Sequence, residues 1–347
     1  MYIKKIILLI AIIGLLAGGW FAYYVYNAVF APNTNFEEEK VVLFIPTGTD
    51  ASGLQKIIRP FLNDLPTFFR IAEKKGYLSN IKPGKYEIEK GLNNNEIINT
   101  LRSKNKAIRV QFNNQERLEA LAGRIANQIE ADSIALIQAF KDQNFLADHD
   151  FNLNNALAMY IPNSYEFFWN TSAVEFRDRM FKEYQRFWNT NRKEKATTLG
   201  LNPNEVSIVA SIVQKETAKS DERPRVAGVY LNRLKDKWKL EADPTVIYAI
   251  KHTTKKWDTV IKRVLFKDLE LDSPYNTYKY MGLPPGLISM PDISSIDAVL
   301  NKENHDYYFF VADVQNFGYH KFAKNLRQHN NNRKEYIQWI NQQRIRR

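Results

Sequence analysis

The residues at 207–218, Ser-Ile-Val-Ala-Ser-Ile-Val-Gln-Lys-Glu-Thr-Ala, are of types that could do acid catalysis. Val209, Ile212 and Val213 precede Glu216 by seven, four and three positions. Those offsets share one face of a 3.6-residue helix, so the spacing predicts an amphipathic helix over 207–218 whose carboxyl ends an apolar stripe and points inward. Desolvation disfavours the ionised form, and an inward carboxyl keeps its proton near neutral pH, as a general acid must. The competing reading is a helix-end glutamate that reaches solvent or pairs with Arg223 or Arg225.

Two further segments carry groups of interest. In the run 241–248, Glu-Ala-Asp-Pro-Thr-Val-Ile-Tyr, a proline follows Asp243 directly. This predicts an extended Asp243 with a helix beginning behind it, and leaves open whether the carboxylate caps that helix or serves the site. The run 273–278, Ser-Pro-Tyr-Asn-Thr-Tyr, leads into Gly282-Leu-Pro-Pro-Gly286. A loop of tyrosines and amides suits sugars, because aromatic faces stack on pyranose rings and amides both donate to and accept from hydroxyls. The same composition also serves a purely structural turn.

Other chemistries lack their residues. The chain has no cysteine, hence no disulfide framework, thiolate nucleophile or Cys-based zinc site. His149, His252, His305, His320 and His329 are too dispersed for a helical metal motif, and no metal or other cofactor is expected. For each histidine a structural hydrogen bond is the simpler role. No glycine-rich phosphate loop occurs. The net charge of +11 attracts polyanions, but the basic residues are scattered apart from the tail at 344–347 and match no nucleic-acid signature, so nucleic acid is not an expected partner.

The elements that must position these groups follow from periodicity. Residues 6–29 are almost wholly apolar, with Lys4 and Lys5 before them and Trp20, Tyr23, Tyr24 and Tyr26 toward their end. About 20 helical residues cross a bilayer of about 30 Å, so this stretch reads as a transmembrane anchor, and the lysines place residues 1–5 in the cytoplasm and the rest beyond the membrane. A cleaved signal peptide ending near Val29-Phe30-Ala31 is the rival reading. After a linker at 30–40, a strand at 41–45, a helix through Leu54, Ile57 and Ile58, a second helix near 66–75, a strand at 86–88 and a helix at 94–103 form a small α/β unit over 41–110. Its order resembles a LysM-like carbohydrate-binding subdomain. Leu118, Leu121, Ile125 and Ile129, then Ile134, Ile137 and Phe140, mark two packing helices, and the aromatic stripe of Met180, Phe181, Tyr184, Phe187 and Trp188 reads as core.

Together the segments at 210–218, 226–234, 243–248, 275–278 and 282–286, followed by 308–313 and the pair His320 and His329, resemble the endolytic murein transglycosylases of the YceG-like family. The resemblance covers nearly the whole chain, most sharply from about residue 205. It implies an α+β fold: an N-terminal transmembrane helix, the LysM-like α/β subdomain and a mixed α+β catalytic domain over 111–347, with a helical part at 111–200 and a catalytic core at 201–330. That family cuts the β-1,4 bond between N-acetylmuramic acid and N-acetylglucosamine in nascent glycan strands and leaves a 1,6-anhydro end without water. By matching position the catalytic glutamate is Glu216. The resemblance further implies Asp243, Thr245, Tyr248, Asn276 and Tyr278 as substrate-binding or supporting residues. Its implied partners are peptidoglycan strands, the cytoplasmic membrane and a penicillin-binding protein synthase.

The sequence departs from the family pattern in places. Gln214 stands where many relatives carry Glu, and Glu241 where they carry Gln. If both side chains border one pocket, the exchange retains the charge near Glu216. Pro162-Asn163-Ser164-Tyr165 has an amide where the pattern has a carboxylate, which removes any charge-dependent role there. Two other functions fit the same residues: a membrane-anchored glycan-binding scaffold, and a hydrolase that pairs Glu216 with Asp243 or Glu241.

Overall fold

The computed structural model describes residues 2–342; the basic tail at 344–347 lies outside the described residues. Contacts divide the chain into two units. The first holds residues 1–110, 128–131 and 165–172, and the second holds 111–127, 132–164 and 173–347.

The first unit begins with α1 (Tyr2–Phe30), which buries none of its residues and is long and apolar enough to cross a membrane. β1 (Lys40–Ile45) then alternates Leu43 and Ile45 inward with Val42 and Phe44 outward, the period of two that a half-buried strand requires. Asp50 accepts from the Gly53 amide to start α2 (Ala51–Ile58), and Asp64 does the same for α3 (Leu65–Lys74), which has Pro66 in its first turn. β2 (Gly84–Glu89) returns antiparallel to β1, with Lys40 opposite Glu89 and Ile45 opposite Gly84. Gly84 sits at φ +145°, where a Cβ would stand 2.4 Å from the Asn105 amide that receives the Lys85 N–H, so only glycine fits. Asn93 and Glu96 close a capping box on α4 (Asn94–Ser103). Leu54, Ile58, Phe68, Tyr86, Ile97 and Leu101 form the core of this block. β3 (Ala107–Phe112) and β4 (Asn163–Phe168) pair as a second two-stranded sheet.

The second unit is mostly helical. α5 (Leu118–Ala126), α6 (Ser133–Phe140) and α7 (Gln143–Asp148) precede β4. In α6 the expected inner face is corrected in part: Phe140 is buried and Ile137 partly covered, but Ile134 is 67% exposed, and Leu136 and Ala139 are buried in its place. This helix is apolar on nearly all sides, so periodicity does not select a face, and packing against α5 and α8 does. α8 (Ala173–Phe187) buries Met180, with Trp188 buried just past its end, while Phe181, Tyr184 and Phe187 are partly covered. After α9 (Thr190–Thr198), Asn202 and Glu205 form a capping box with Pro203 in the first turn of α10 (Pro203–Glu216). α10 therefore starts four residues before the predicted helix and ends two earlier. Thr217 leaves the helix at φ −136°, ψ 133°, and its hydroxyl accepts from the Lys219 amide.

Around α10 pack α11 (Arg223–Lys235), α12 (Asp243–Thr254) and α14 (Ile293–Leu300), with the short α13 (Phe266–Leu269) between the last two. Val209, Ile212 and Val213 are fully buried among Val226, Ala227, Tyr230 and Val299. The hairpin of β5 (Phe309–Ala312) and β6 (His320–Ala323) and the final helix α15 (Leu326–Gln342) complete the unit, so the fold is mixed α+β.

Candidate active site

Glu216 is the last residue of α10, directly beyond the buried stripe. It forms part of the wall of a cavity of about 390 Å³ shared with Tyr230, Arg233, Glu241, Asp243, Tyr278, Phe310, His320, His329 and Arg333, among others. From α11 the Tyr230 hydroxyl donates to Glu216 Oε1 at 2.6 Å. Burial pushes the Glu216 carboxyl up to about 7; the Tyr230 hydrogen bond opposes the rise, the Asp243 charge adds to it, and His320 and Arg233 oppose it. Its place at a helix C-terminus, where the macrodipole is negative, works in the same direction as burial. Tyr230 is itself 2% exposed, and burial together with the nearby Glu216 charge drives its phenol well up, so it remains a donor at working pH.

The surrounding groups are held by a layer of hydrogen bonds. Arg233 is 7% exposed and donates to the carbonyls of Tyr308 (2.7 Å), Lys239 (3.2 Å) and Leu240 (2.9 Å) and to Glu241 Oε2 (3.1 Å). One guanidinium thus joins α11, the segment before α12 and the β5 edge, a use its planar fork of donors suits. Glu241 stands at φ +51°, a left-handed conformation held by Arg233 and by its own amide donating to Thr277 O at 3.2 Å. His320 reaches the cavity from β6. Its backbone amide donates to Glu222 Oε1 at 2.7 Å and its Nδ1 lies 2.8 Å from Glu222 Oε2, and the Glu222 carboxylate, only 4% exposed, is held below the usual range by these contacts against the effect of burial. His329 stacks on Phe309 at 5.2 Å, and burial lowers its pKa.

The residues expected to serve the site separate into three groups. Glu241, Asp243 and Tyr278 line the Glu216 cavity, and the Tyr278 hydroxyl donates to Asp243 Oδ1 at 2.6 Å. Asp243 is not extended as expected, and of the two roles left open it does not take the cap: it is the first residue of α12, Ala242 is the extended residue before it, and no side chain caps the helix. Thr245 and Asn276 lie beneath, both fully buried. Thr245 donates to Ala242 O at 2.7 Å and lies 2.8 Å from Thr277 Oγ1, while Asn276 donates to Leu269 O and Leu271 O and accepts from the Tyr278 amide. Tyr248 turns into a different cavity, against Tyr275, His252 and Trp257.

Gln214 is likewise directed elsewhere. Its carbonyl accepts from the Asp292 amide and the Ser295 hydroxyl, and its amide reaches Met290 O. Gln214 and Glu241 therefore do not border one pocket, and Glu241 alone faces Glu216's cavity. Asn163 uses its side-chain oxygen to hold the Ser164 amide at 2.8 Å. Tyr230 and Arg233 lie in the 226–234 segment but carry no role that its spacing discloses, and Glu222 and Arg333 fall outside every motif. Tyr230 lies 14 residues beyond Glu216 on another helix, and Glu222 lies 98 from His320, so no local spacing connects them.

Chemically, the cavity offers one carboxyl able to hold a proton near neutral pH, a phenol to stabilise it once ionised, a second carboxylate at Asp243, and basic groups in the same lining. This set suits proton donation to a leaving oxygen and stabilisation of a positive centre.

A model of the YceG-like family matches residues 43–335. The endolytic murein transglycosylase of Bacillus subtilis (strain 168) is 30% identical over 350 residues, covering 93% of this chain and 91% of that protein. The endolytic murein transglycosylase of Streptococcus pneumoniae serotype 2 (strain D39 / NCTC 7466) is 26% identical over 362 residues, covering 92% of this chain and 63% of that protein. The crystal structure of a YceG-like protein from Listeria monocytogenes superposes with a TM-score of 0.56 at 26% identity, covering 85% of this chain and 99% of that one.

Proposed function

Because this chain belongs to the YceG-like family, we propose that it is an endolytic murein transglycosylase anchored by α1 in the cytoplasmic membrane. It cuts the β-1,4 bond between N-acetylmuramic acid and N-acetylglucosamine in nascent peptidoglycan strands and leaves 1,6-anhydro ends, which limits strand elongation. The observation that carries this reading is the Glu216 carboxyl, pushed up to about 7 in its cavity and bonded to Tyr230.

Protonated Glu216 donates to the glycosidic oxygen as that oxygen leaves the anomeric carbon. The C6 hydroxyl of the muramic acid ring closes on the same carbon, and its proton passes to the Glu216 carboxylate. The enzyme returns to its starting form and no water is consumed. Glycosidases that use water need two carboxylates, whereas an internal hydroxyl lets one carboxyl serve twice and spares the entropy of capturing a water. Between the two transfers Glu216 is an anion, stabilised by the Tyr230 hydroxyl and by His320 and Arg233. Asp243, steadied by Tyr278, places negative charge beside the oxocarbenium-like centre. Thr245 and Asn276 support Asp243 and Tyr278 from beneath.

Lys4 and Lys5 stay in the cytoplasm, α1 crosses the membrane, and the chain after it lies on the far side. The β1–α2–α3–β2 block of the first unit, LysM-like in its order, holds glycan, and a penicillin-binding protein synthase supplies the nascent strand. The test is product analysis: purified glycan strands are digested with the full chain and with Glu216→Gln, and the new ends are weighed by mass spectrometry. Anhydro-muramic ends from the wild type alone are expected. Hydrated ends alone would establish a hydrolase, and undiminished cleavage by the variant would remove Glu216 from the chemistry.

A further inference from the structure

From the end of α12 into the first turn of α13 the chain presents a surface that the Glu216 cavity does not use. Residues 255–267 read Lys-Lys-Trp-Asp-Thr-Val-Ile-Lys-Arg-Val-Leu-Phe-Lys, five cations and one acid. All five basic side chains are exposed, and none forms an ion pair among the described residues. Interleaved with them, Val260 is 79% exposed, Phe266 78% and Leu265 39%. The fold fixes both ends of the segment. Lys255 at φ +58° ends α12, and the Leu265 amide donates to Asp268 Oδ2 at 2.9 Å at the start of α13. Trp257 is held at its base by Tyr248 and by Arg117, 5.5 Å from its ring.

Cations alone would suit any polyanion, and exposed apolar side chains alone any greasy partner. Both within 13 residues suit a surface that offers anions and hydrocarbon a few ångströms apart, which is what an anionic lipid layer does. Lysine and arginine lay their stems along apolar surface while their heads reach phosphate, so the two sets of side chains engage together. We propose that residues 255–267 form a second, reversible membrane contact, seated on anionic lipid headgroups with Val260, Leu265 and Phe266 entering the acyl boundary. The inference rests on the anchor reading of α1: a chain already tethered to the bilayer meets it at high effective concentration, so a weak contact suffices.

The absence of cysteine makes the test direct, because each introduced thiol carries a unique label. Three variants of the full chain, Ile10→Cys in α1, Val260→Cys in the loop and Ile134→Cys on the exposed face of α6, receive an environment-sensitive fluorophore. They are reconstituted into bilayers bearing nitroxide lipids. Quenching of the labels at 10 and 260, but not at 134, is expected in phosphatidylglycerol-containing bilayers. The signal at 260 alone should vanish in pure phosphatidylcholine and in about 1 M salt, where the Debye length falls to about 3 Å. Adding Lys262→Gln and Arg263→Gln should lower docking about 25-fold, about five-fold per cation. An unquenched label at 260 beside a quenched one at 10 overturns the proposal alone. Unquenched labels at both positions overturn the anchor reading with it. Equal quenching at 134, or at 260 without anionic lipid, overturns the assignment of the loop to anionic headgroups.

Discussion

The Tyr230 hydroxyl donates to Glu216 Oε1 across 2.6 Å, joining the interior of α11 to the last residue of α10. This bond favours the ionised carboxyl while the surrounding burial favours the protonated one, and burial is the larger effect, leaving the pKa at about 7. The acid is therefore poised close to neutrality.

If Glu216 is the proton donor, kcat should fall as pH rises through about 7. Tyr230→Phe removes a hydrogen bond to a charged group, of order 1.5–3 kcal/mol, and should move the alkaline limb up by roughly one to two units. Asp243→Asn removes a charge that holds the proton on and should move it down. Steady-state rates on glycan strands across pH read both shifts, and identical profiles would remove these residues from the control of Glu216.

Glu216→Gln should abolish cleavage yet stabilise the fold above neutral pH. The folded pKa lies above the ordinary glutamate value of 4.5, so between about 4.5 and 7 the native state holds a proton the unfolded chain has lost, and wild-type stability declines as pH rises through that window. The amide avoids this decline while its oxygen still accepts from Tyr230. A relative gain of about 1–3 kcal/mol at pH 8, absent at pH 4, is expected from urea midpoints.

Glu222→Gln tests the opposite sign. Contacts with His320 hold the Glu222 pKa below its usual value, so its contribution is present above about 4.5 and is lost as pH falls through the folded pKa. The variant should be less stable than wild type by about 1–3 kcal/mol at pH 7, with the gap closing near pH 3. Denaturant melts at the two values measure this.

Arg233→Met leaves three carbonyls and Glu241 without their shared donor. A loss of roughly 3 kcal/mol is expected, with Arg233→Lys recovering only part of it because an ammonium lacks the planar fork. A urea midpoint unchanged in the methionine variant would show the guanidinium to be dispensable.

The inward aim of Glu216, the strand at 41–45, the helix at 94–103 and the apolar stretch near the N-terminus were all legible in the sequence, because each is written in contiguous residues at a helical or strand period. Spacing alone could not choose the buried face of α6, which is apolar on most sides, nor the end of α10, where Thr217 turns away. The family resemblance also grouped residues that the fold separates. Thr245 and Asn276 support the site from below, while Tyr248 and Gln214 face other neighbours.

By itself the sequence determined that an acid ends an apolar stripe on a helix, since three side chains at fixed offsets oblige it to. Tertiary structure decided how that acid behaves: Tyr230 and Arg233 from α11, Asp243 from α12 and His320 from β6 arrive from three other elements. Proton affinity is set by burial and by charges and donors within a few ångströms in space, and folding brings together groups that no spacing along the chain connects.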